Sequence, residues 1–204
     1  MTLLEIQYFP SISWCAALYQ ETTVYLDAAE HYQKGGLRNK CFIAGPNGVQ
    51  RLSIPLLKGK HQQTPIREVK ISYDEPWQRQ HWRSIQAAYG NAPYFEHYSA
   101  DIERLFDQKW TFLFDLNWEI MSLILKRKLG WAGILLQETV YHQPGTYPNG
   151  KDFRNGKFRA PPLPYPQVFQ ERHGFLPGLS ILDLFFCYGK TSGEVLRNTP
   201  IYPN

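Results

Sequence analysis

The chain has 204 residues, a formal net charge of +4, and 43% hydrophobic against 20% charged residues. This length supports one sizeable core and is short for two ordinary domains, so we expect a single domain over residues 1–204. Because the basic residues form no long run and no nucleic-acid-binding motif, we expect no nucleic-acid partner, and the charge suits a small anionic ligand better.

The chain begins with a strand, helix, strand pattern. Residues 3–6 form a short, mainly apolar run, residues 12–20 follow a helix N-cap serine, and residues 22–26 are rich in β-branched and aromatic residues. The pattern predicts two neighbouring parallel strands joined by a right-handed crossover. Gln7 and Asp27 would then lie at the carboxyl ends of these strands, the edge where open α/β sheets usually bind ligands.

A polar segment and a hairpin follow. Residues 27–40 are crowded with polar side chains around a glycine pair, and two apolar runs, 41–44 and 49–56, flank the sequence Gly45-Pro46-Asn47-Gly48. Asn-Gly readily takes a positive φ in a tight turn, so the apolar runs predict a β-hairpin. We expect the polar segment to be a loop that the rigid hairpin presents.

The rest of the chain is predicted to be mainly helical. Spacing of apolar residues and capping signals predict helices over residues 75–89, 101–108, 110–129 and 181–187, and strands over 67–73 and 134–139. Residues 141–165, rich in proline, glycine and basic side chains, are predicted to be a long irregular segment, either mobile or functional. The predicted fold class is therefore α/β, with a mixed sheet, flanking helices, a β-hairpin and a long irregular C-terminal loop.

Several features limit location and cofactors. No stretch approaches 18 uninterrupted apolar residues, and the first residues do not resemble a signal peptide, so we expect neither a membrane span nor export. Cys15, Cys41 and Cys187 are odd in number and lie in apolar runs, which indicates buried free thiols in a reducing cytoplasm. The six histidines have no metal-binding spacing, and no phosphate-binding glycine loop occurs, so we expect neither a metal nor a bound cofactor.

Short segments along most of the chain form an ordered set. The N-terminal segments are Gln7-Tyr8-Phe9-Pro10, Leu26-Asp27, Tyr32-Gln33-Lys34, Arg38-Asn39-Lys40, Ile43-Ala44-Gly45-Pro46-Asn47-Gly48 and Leu52-Ser53-Ile54-Pro55. The later ones are His81-Trp82, Ala88-Tyr89, Ala92-Pro93-Tyr94-Phe95, Leu116-Asn117, Tyr165-Pro166-Gln167-Val168-Phe169 and residues 179–185. In this order the segments resemble the WbqC-like protein family, and the resemblance implies a bacterial protein connected with surface polysaccharide such as O-antigen. The chain departs from the family in a compressed interval, residues 141–159, and in Tyr8 where the family has proline.

The polar segment and its neighbours supply the candidate site. An arginine offers a planar fork, and a lysine a point charge, to phosphate or carboxylate. The predicted ligand-binding residues are Gln7, Tyr32, Lys34, Arg38, Asn39, Lys40 and Asn117, and the predicted proton-transfer residues are Asp27 and His81. The basic residues Lys151, Arg154, Lys157 and Arg159 are candidates for a lid that closes over an anionic ligand.

Each of these residues also has a structural interpretation. The polar segment is otherwise a solvated loop, Gln7 a local hydrogen-bond partner, Asp27 a cap, His81 a packed histidine and Asn117 a buried polar tie.

Three functions remain open from the sequence. The first is a transferase-type enzyme of surface-polysaccharide assembly acting on an anionic donor, such as a nucleotide-linked sugar or an acyl or aminoacyl donor. The second is a binding or accessory protein with the same pocket and no chemistry, which the compressed interval favours. The third is a protein interaction module that uses the aromatic surface.

Overall fold

The computed structural model describes residues 1–57, 64–156, 158–161 and 163–203. The strands are β1 (Thr2–Leu4), β2 (Thr23–Asp27), β3 (Lys40–Gly45), β4 (Gly48–Ser53), β5 (Ile134–Glu138), β6 (Lys151–Asp152), β7 (Phe158–Arg159) and β8 (Tyr202–Pro203). The helices are α1 (Ile12–Tyr19), α2 (Trp77–Tyr89), α3 (Phe95–Asp107), α4 (Leu113–Met121), α5 (Gln170–His173), α6 (Ile181–Tyr188) and α7 (Ser192–Asn198).

The central sheet has four parallel strands in the order β5-β2-β1-β6. Leu4 of β1 pairs with Leu26 of β2, so Glu5 and Asp27 come next at the carboxyl ends of the two strands. The predicted parallel pair is confirmed, and so is the α/β class. The antiparallel strands lie in separate two-stranded sheets rather than in the same mixed sheet.

Helix α1 connects β1 to β2 and is buried on nearly every side. The side chain of Ser11 accepts a hydrogen bond from the Trp14 backbone N–H at 3.3 Å, which fixes the start of the helix as predicted. Its neighbours in the core are α6 and α7. Because the helix is apolar all round, it serves as a central core element, and its N-terminus lies just beyond the end of β1.

The predicted hairpin is confirmed as β3 and β4. Gly45 pairs with Gly48 across a turn made by Pro46 and Asn47. Gly48 has a φ of 101°, a value that glycine adopts without strain. The hairpin packs on α2, where the hydroxyl of Tyr89 accepts a hydrogen bond from the Ala44 backbone N–H at 3.1 Å.

Two predicted strands need correction. Residues 67–73 do not form a strand: a 3₁₀ turn spans Ile66–Glu68, and isolated bridges join Lys70 to Phe112 and Leu56 to Ile71. The alternating pattern there reflects alternate contacts with the core rather than sheet pairing. Strand β5 exists as predicted but lies at an edge of the sheet instead of being buried.

Two helix boundaries also differ. Residues 95–107 form one continuous helix, α3, where the sequence suggested a loop and a shorter helix. The predicted helix over 110–129 begins at Leu113 and, after α4, continues as a π-helical segment, Ser122–Lys128. No local pattern in the sequence predicted the short C-terminal helices α5 and α7.

The segment predicted to be irregular, residues 141–165, contributes to the sheet. Strand β6 lies within it and pairs in parallel with β1. A 3₁₀ turn over Arg154–Gly156 follows, in which Asn155 has a φ of 57°. Because β6 is hydrogen-bonded to β1, this turn lies beside the carboxyl end of the sheet, next to Glu5.

Two further expectations concern the cysteines and the membrane. Cys15, Cys41 and Cys187 are free and buried. None of the described helices is long and apolar enough to cross a membrane.

Candidate functional site

A cavity of about 440 Å³ opens beyond the carboxyl end of β1. Its wall includes Glu5, Gln7, Ser13, Trp14, Arg38 and Asn155. The wall therefore combines elements from the sheet edge, the start of α1, the polar loop and the 3₁₀ turn after β6. The volume is within the range of small-molecule sites.

Glu5 and Gln7 form a fixed pair on this wall, and both side chains are buried. Gln7 donates from Nε2 to Oε1 of Glu5 at 2.8 Å and accepts from the Ser11 N–H at 3.2 Å. The second carboxylate oxygen of Glu5 accepts from the Asn155 N–H at 2.9 Å. These bonds hold an amide and a carboxylate at the cavity in set orientations.

Arg38 is held by Glu30 behind the cavity wall. Its Nε donates to Oε1 of Glu30 at 2.7 Å, and its Nη2 donates both to Oε2 of Glu30 and to Oδ1 of Asn155, the latter at 3.1 Å. The side chain of Arg38 is only 2% exposed. The sequence led us to expect that this fork faces a ligand, but in the structure Glu30 occupies it.

One nitrogen of Arg38 remains available. Among the described residues Nη1 has no hydrogen-bond partner, so two of the five guanidinium N–H groups are unused. A Cβ placed on Gly36 would lie 2.6 Å from Nη1. Because Gly36 and Arg38 both line the cavity, the missing side chain at position 36 leaves room for Nη1.

A second buried arginine, Arg154, connects the segment of residues 141–165 to the central sheet. Arg154 donates from Nη1 to Oδ2 of Asp27 at 2.5 Å and from Nη2 to Oδ2 of Asp152 at 2.7 Å. It also donates to the backbone oxygens of His142 and Gln143. Arg154 therefore anchors the turn that carries Asn155, and it is not an exposed lid cation.

Asp27 consequently faces Arg154 and does not line the cavity. Its other oxygen accepts from the Ala29 N–H at 3.0 Å. The sequence placed Asp27 at the correct edge of the sheet. Glu5, the residue that directly follows β1, is the carboxylate that reaches the cavity.

Carboxylates outnumber arginines in this region. Four buried or half-buried carboxylates, Glu5, Asp27, Glu30 and Asp152, surround the two arginines Arg38 and Arg154. Burial raises the pKa of Glu30 to about 7, because the loss of hydration outweighs the contribution of Arg38, and Asp27 and Glu5 add to the rise. Burial also opposes the charge of Arg38, but its bonds to Glu30 raise its pKa.

A smaller cavity of about 170 Å³ adjoins the first one. Gln33 and Asn155 line both, while Glu30, His31 and Arg154 line only the smaller one. The ion pair of Glu30 with Arg38 therefore lies in the partition between the two spaces.

The remaining loop residues have separate positions. Tyr32 is buried and donates to Oδ1 of Asn39 at 2.9 Å, and Asn39 donates to the Ile54 backbone oxygen. Lys34 is exposed, and Lys40 is half-buried at the start of β3. None of these four residues lines the cavity, so the expected cationic ribbon is dispersed.

His81 lies in the aromatic core and not at the cavity. Its Nδ1 is 2.9 Å from the hydroxyl of Tyr8, and its ring meets Trp77 edge-on with the centroids 5.2 Å apart. Burial lowers the pKa of His81 to about 4, even though a bond to the Ser53 backbone opposes the shift. This placement favours the packed-histidine interpretation.

Asn117 supports the site from behind. Its Nδ2 donates to the backbone oxygen of Arg38 at 2.7 Å, and the residue is fully buried. This bond holds the backbone of Arg38 in place, and Asn117 itself does not line the cavity.

The lid residues can be placed in part. Lys151 binds Glu21 at 2.6 Å, beside the start of β2, and Arg154 is buried. Lys157 lies outside the described residues. The side chain of Arg159 is also outside the described part of the structure.

Sequence reasoning missed Glu5, Glu30 and Asn155 as site residues, and it assigned Arg154 to a lid rather than to the ion pairs with Asp27 and Asp152. For Glu5 a signal existed, because it precedes Gln7 by two positions at the end of the same predicted strand. The roles of Arg154 and Asn155 depend on the pairing of β6 with β1. No local pattern in the sequence predicted this pairing.

A larger cavity, of about 500 Å³, lies at the opposite edge of the sheet, beside the starts of β2 and β5. Tyr19, Trp131 and Arg197 are among its lining residues. The ionic side chains that line it, Glu21 and Arg197, are not buried. The cavity beyond the end of β1, hereafter the carboxyl-edge cavity, differs from it in having a buried polar network.

Comparison with known proteins gives a family match. The model of the WbqC-like protein family matches residues 6–133. No curated protein and no solved structure matches the chain. The matched region holds Gln7, Asp27, Glu30 and Arg38, while Glu5, Arg154 and Asn155, which complete the site, lie outside it.

Proposed function

We propose, since this chain belongs to the WbqC-like protein family, that it is a transferase-type enzyme acting on a nucleotide-linked sugar in the assembly of a bacterial surface polysaccharide. The sugar unit occupies the cavity beyond the end of β1. The reaction would take place in the cytoplasm, where such donors are made.

The observation that supports the proposal is the chemistry of the cavity wall. A buried carboxylate, an amide, an arginine and an asparagine, together with the indole of Trp14, surround one space of about 440 Å³. Hydroxyl-rich ligands need donors and acceptors in fixed directions, and the bonds among Glu5, Gln7 and Asn155 provide them. An apolar ligand would leave Nη1 of Arg38 without an acceptor in the cavity.

Glu5 is the group that we assign to proton transfer. It is the carboxylate on the cavity wall, whereas Asp27 is held away by Arg154. In the proposed step, the acceptor oxygen forms a bond to the anomeric carbon, the bond from that carbon to the nucleotide phosphate breaks, and the acceptor proton passes to Glu5. Gln7 orients the sugar, and Asp27 positions Arg154.

Binding tests the proposal first. The full chain should gain several degrees of melting temperature with at least one of a panel of nucleotide-linked sugars, and free phosphate should give none. Gln7→Leu should remove this gain, and the control Gln86→Leu, exposed on α2, should retain it. If no sugar nucleotide stabilises the wild-type chain, the proposal is wrong.

Turnover tests the chemistry. With a donor that binds, transfer to an acceptor should fall at least a hundredfold in Glu5→Gln, while donor affinity changes less than fivefold. Equal turnover in this variant would contradict the role of Glu5.

A non-catalytic binding protein is the second candidate. Both oxygens of Glu5 already accept hydrogen bonds, which reduces its readiness to take a proton. Tight donor binding without transfer to any acceptor tested would favour this function.

A further inference from the structure

We propose that the sugar bound in the carboxyl-edge cavity carries a carboxylate, which Arg38 binds through Nη1. This inference rests on the proposed function, because it names the class of sugar that the same cavity takes. A nucleotide-linked uronic acid is the simplest ligand with this chemistry.

The first observation is that Nη1 of Arg38 has no partner in the described part of the chain. Glu30 and Asn155 take the hydrogens of Nε and Nη2, and the described residues provide no acceptor for Nη1. These two N–H groups belong to an otherwise buried guanidinium and can donate to whatever occupies the cavity. Because Arg38 lines the cavity, a ligand oxygen is the acceptor that fits there.

The second step is the rigidity of this donor. Two bonds to Glu30 fix the plane of the guanidinium, and the backbone of Arg38 is tied to Asn117. A preorganised donor binds a charged oxygen more strongly than a flexible lysine does. Gly36 keeps the space beside Nη1 free of side-chain atoms.

The third step is the start of α1, which opens into the same cavity. Ser11 and Ser13 line the cavity, and the first turn of α1 holds no acidic side chain. The Ser13 N–H has no acceptor among the described residues. Since the N-terminus of a helix carries a partial positive charge, it adds to the attraction of Arg38 for an anion.

The fourth step is the position of the opposing charge. Glu5 also lies on the wall and repels a carboxylate, but it is tied to Gln7 and to the Asn155 N–H. A ligand with hydroxyl groups toward Glu5 and a carboxylate toward Arg38 satisfies both ends. A neutral hexose would leave Nη1 facing a weaker acceptor, and a compact phosphate would leave Glu5 without a hydroxyl donor.

The test compares matched donors by titration calorimetry with the full chain. UDP-glucuronate and UDP-galacturonate are set against UDP-glucose and UDP-galactose, which differ from them only at the sugar C6. We expect at least a tenfold tighter Kd for one uronate than for its neutral partner. Equal or weaker binding of both uronates would overturn the inference.

Two variants test whether the ligand carboxylate contacts Nη1 of Arg38. Gly36→Ala places a methyl group against Nη1, and Arg38→Lys keeps the charge but removes the fork. Each should reduce the uronate preference to less than threefold. Lys34→Ala, at an exposed position of the same loop that does not line the cavity, is the control and should retain the preference. A preference that survives in both Gly36→Ala and Arg38→Lys, with folding verified by circular dichroism, would also overturn the inference.

The outcomes separate the inference from the proposed function. If the neutral sugar nucleotides bind as well as the uronates, the carboxylate contact is wrong and the proposed function survives. If free glucuronate binds but no sugar nucleotide does, the contact survives and the proposed function is wrong. If nothing binds, both are wrong.

Discussion

Arg154 and Asp27 form a buried ion pair, with Nη1 and Oδ2 2.5 Å apart, across 127 residues of the chain. The pair connects the end of β2 to the turn that follows β6. This contact brings Asn155 to the cavity, and Arg154 lies outside residues 6–133, the part of the chain that matches the family model. The site is therefore assembled from both ends of the sequence.

Breaking this pair is expected to destabilise the protein. Asp27→Ala leaves Arg154 buried with only Asp152 as its carboxylate partner, and removal of one member of a buried pair costs about 3–5 kcal/mol. Urea unfolding measures the change. Lys151→Ala, which breaks an ion pair with an exposed lysine, is the control and should cost about 1 kcal/mol or less. A loss below about 1 kcal/mol in Asp27→Ala would contradict the anchoring role.

The buried histidine predicts a loss of stability in acid. The folded-state pKa of His81 is about 4, below the usual 6.5, so the unfolded chain binds a proton that the folded chain does not. Above pH 6.5 the imidazole is neutral in both the folded and the unfolded chain, so it does not reduce stability. As the pH falls from 6.5 toward 4, the free energy of unfolding decreases by roughly 3 kcal/mol. Urea midpoints at pH 7.5 and 4.5 should show a smaller difference in His81→Phe than in the wild type. A His81 imidazole that titrates by NMR near pH 6.5 would refute this prediction.

Ligand binding should depend on the protonation of Glu30. Glu30 faces Arg38, Asp27 and Glu5, and its pKa is raised to about 7, first by burial. Protonation of Glu30 removes the carboxylate charge nearest to Arg38 and leaves only those of Glu5 and Asp27, so a carboxylate ligand should bind less tightly as the pH rises through 7. The Kd for the preferred uronate donor should rise by roughly tenfold or less per pH unit, the limit for one linked proton.

Glu30→Gln provides the control for this pH dependence. The glutamine keeps the size of the side chain and cannot ionise, so the Kd should become nearly constant between pH 6 and 8. His31, His142 and Arg154 border the same smaller cavity. A slope that persists in Glu30→Gln would show that Glu30 is not the linked group.

Asn117 should matter for stability because of a single hydrogen bond. Asn117→Ala leaves the buried backbone oxygen of Arg38 without this donor, at a cost of about 1–3 kcal/mol. The free energy of unfolding from urea titration measures the cost. Gln86→Ala, an exposed helix position, should change it by about 0.5 kcal/mol or less. Equal effects of the two substitutions would show that the Asn117 bond contributes nothing.

Local patterns in the sequence were sufficient for the elements that depend on neighbouring residues. The alternation and turn chemistry around Asn47-Gly48 determined the hairpin, and the cap at Ser11 determined the start of α1. The strand signals also placed Gln7 and Asp27 beyond or at the ends of two adjacent parallel strands. These features depend on residues a few positions apart, so the sequence determined them directly.

Only the tertiary structure decided which polar groups face the cavity. Arg38 donates two of its five N–H groups to Glu30, Asp27 faces Arg154, and Glu5 lies on the cavity wall. These partnerships join residues that the chain separates by 8 to 150 positions. Which partner a buried charge takes depends on how the sheet, the loop and the late turn pack together, because burial makes an unpaired charge costly and the packing determines which opposite charge is within reach.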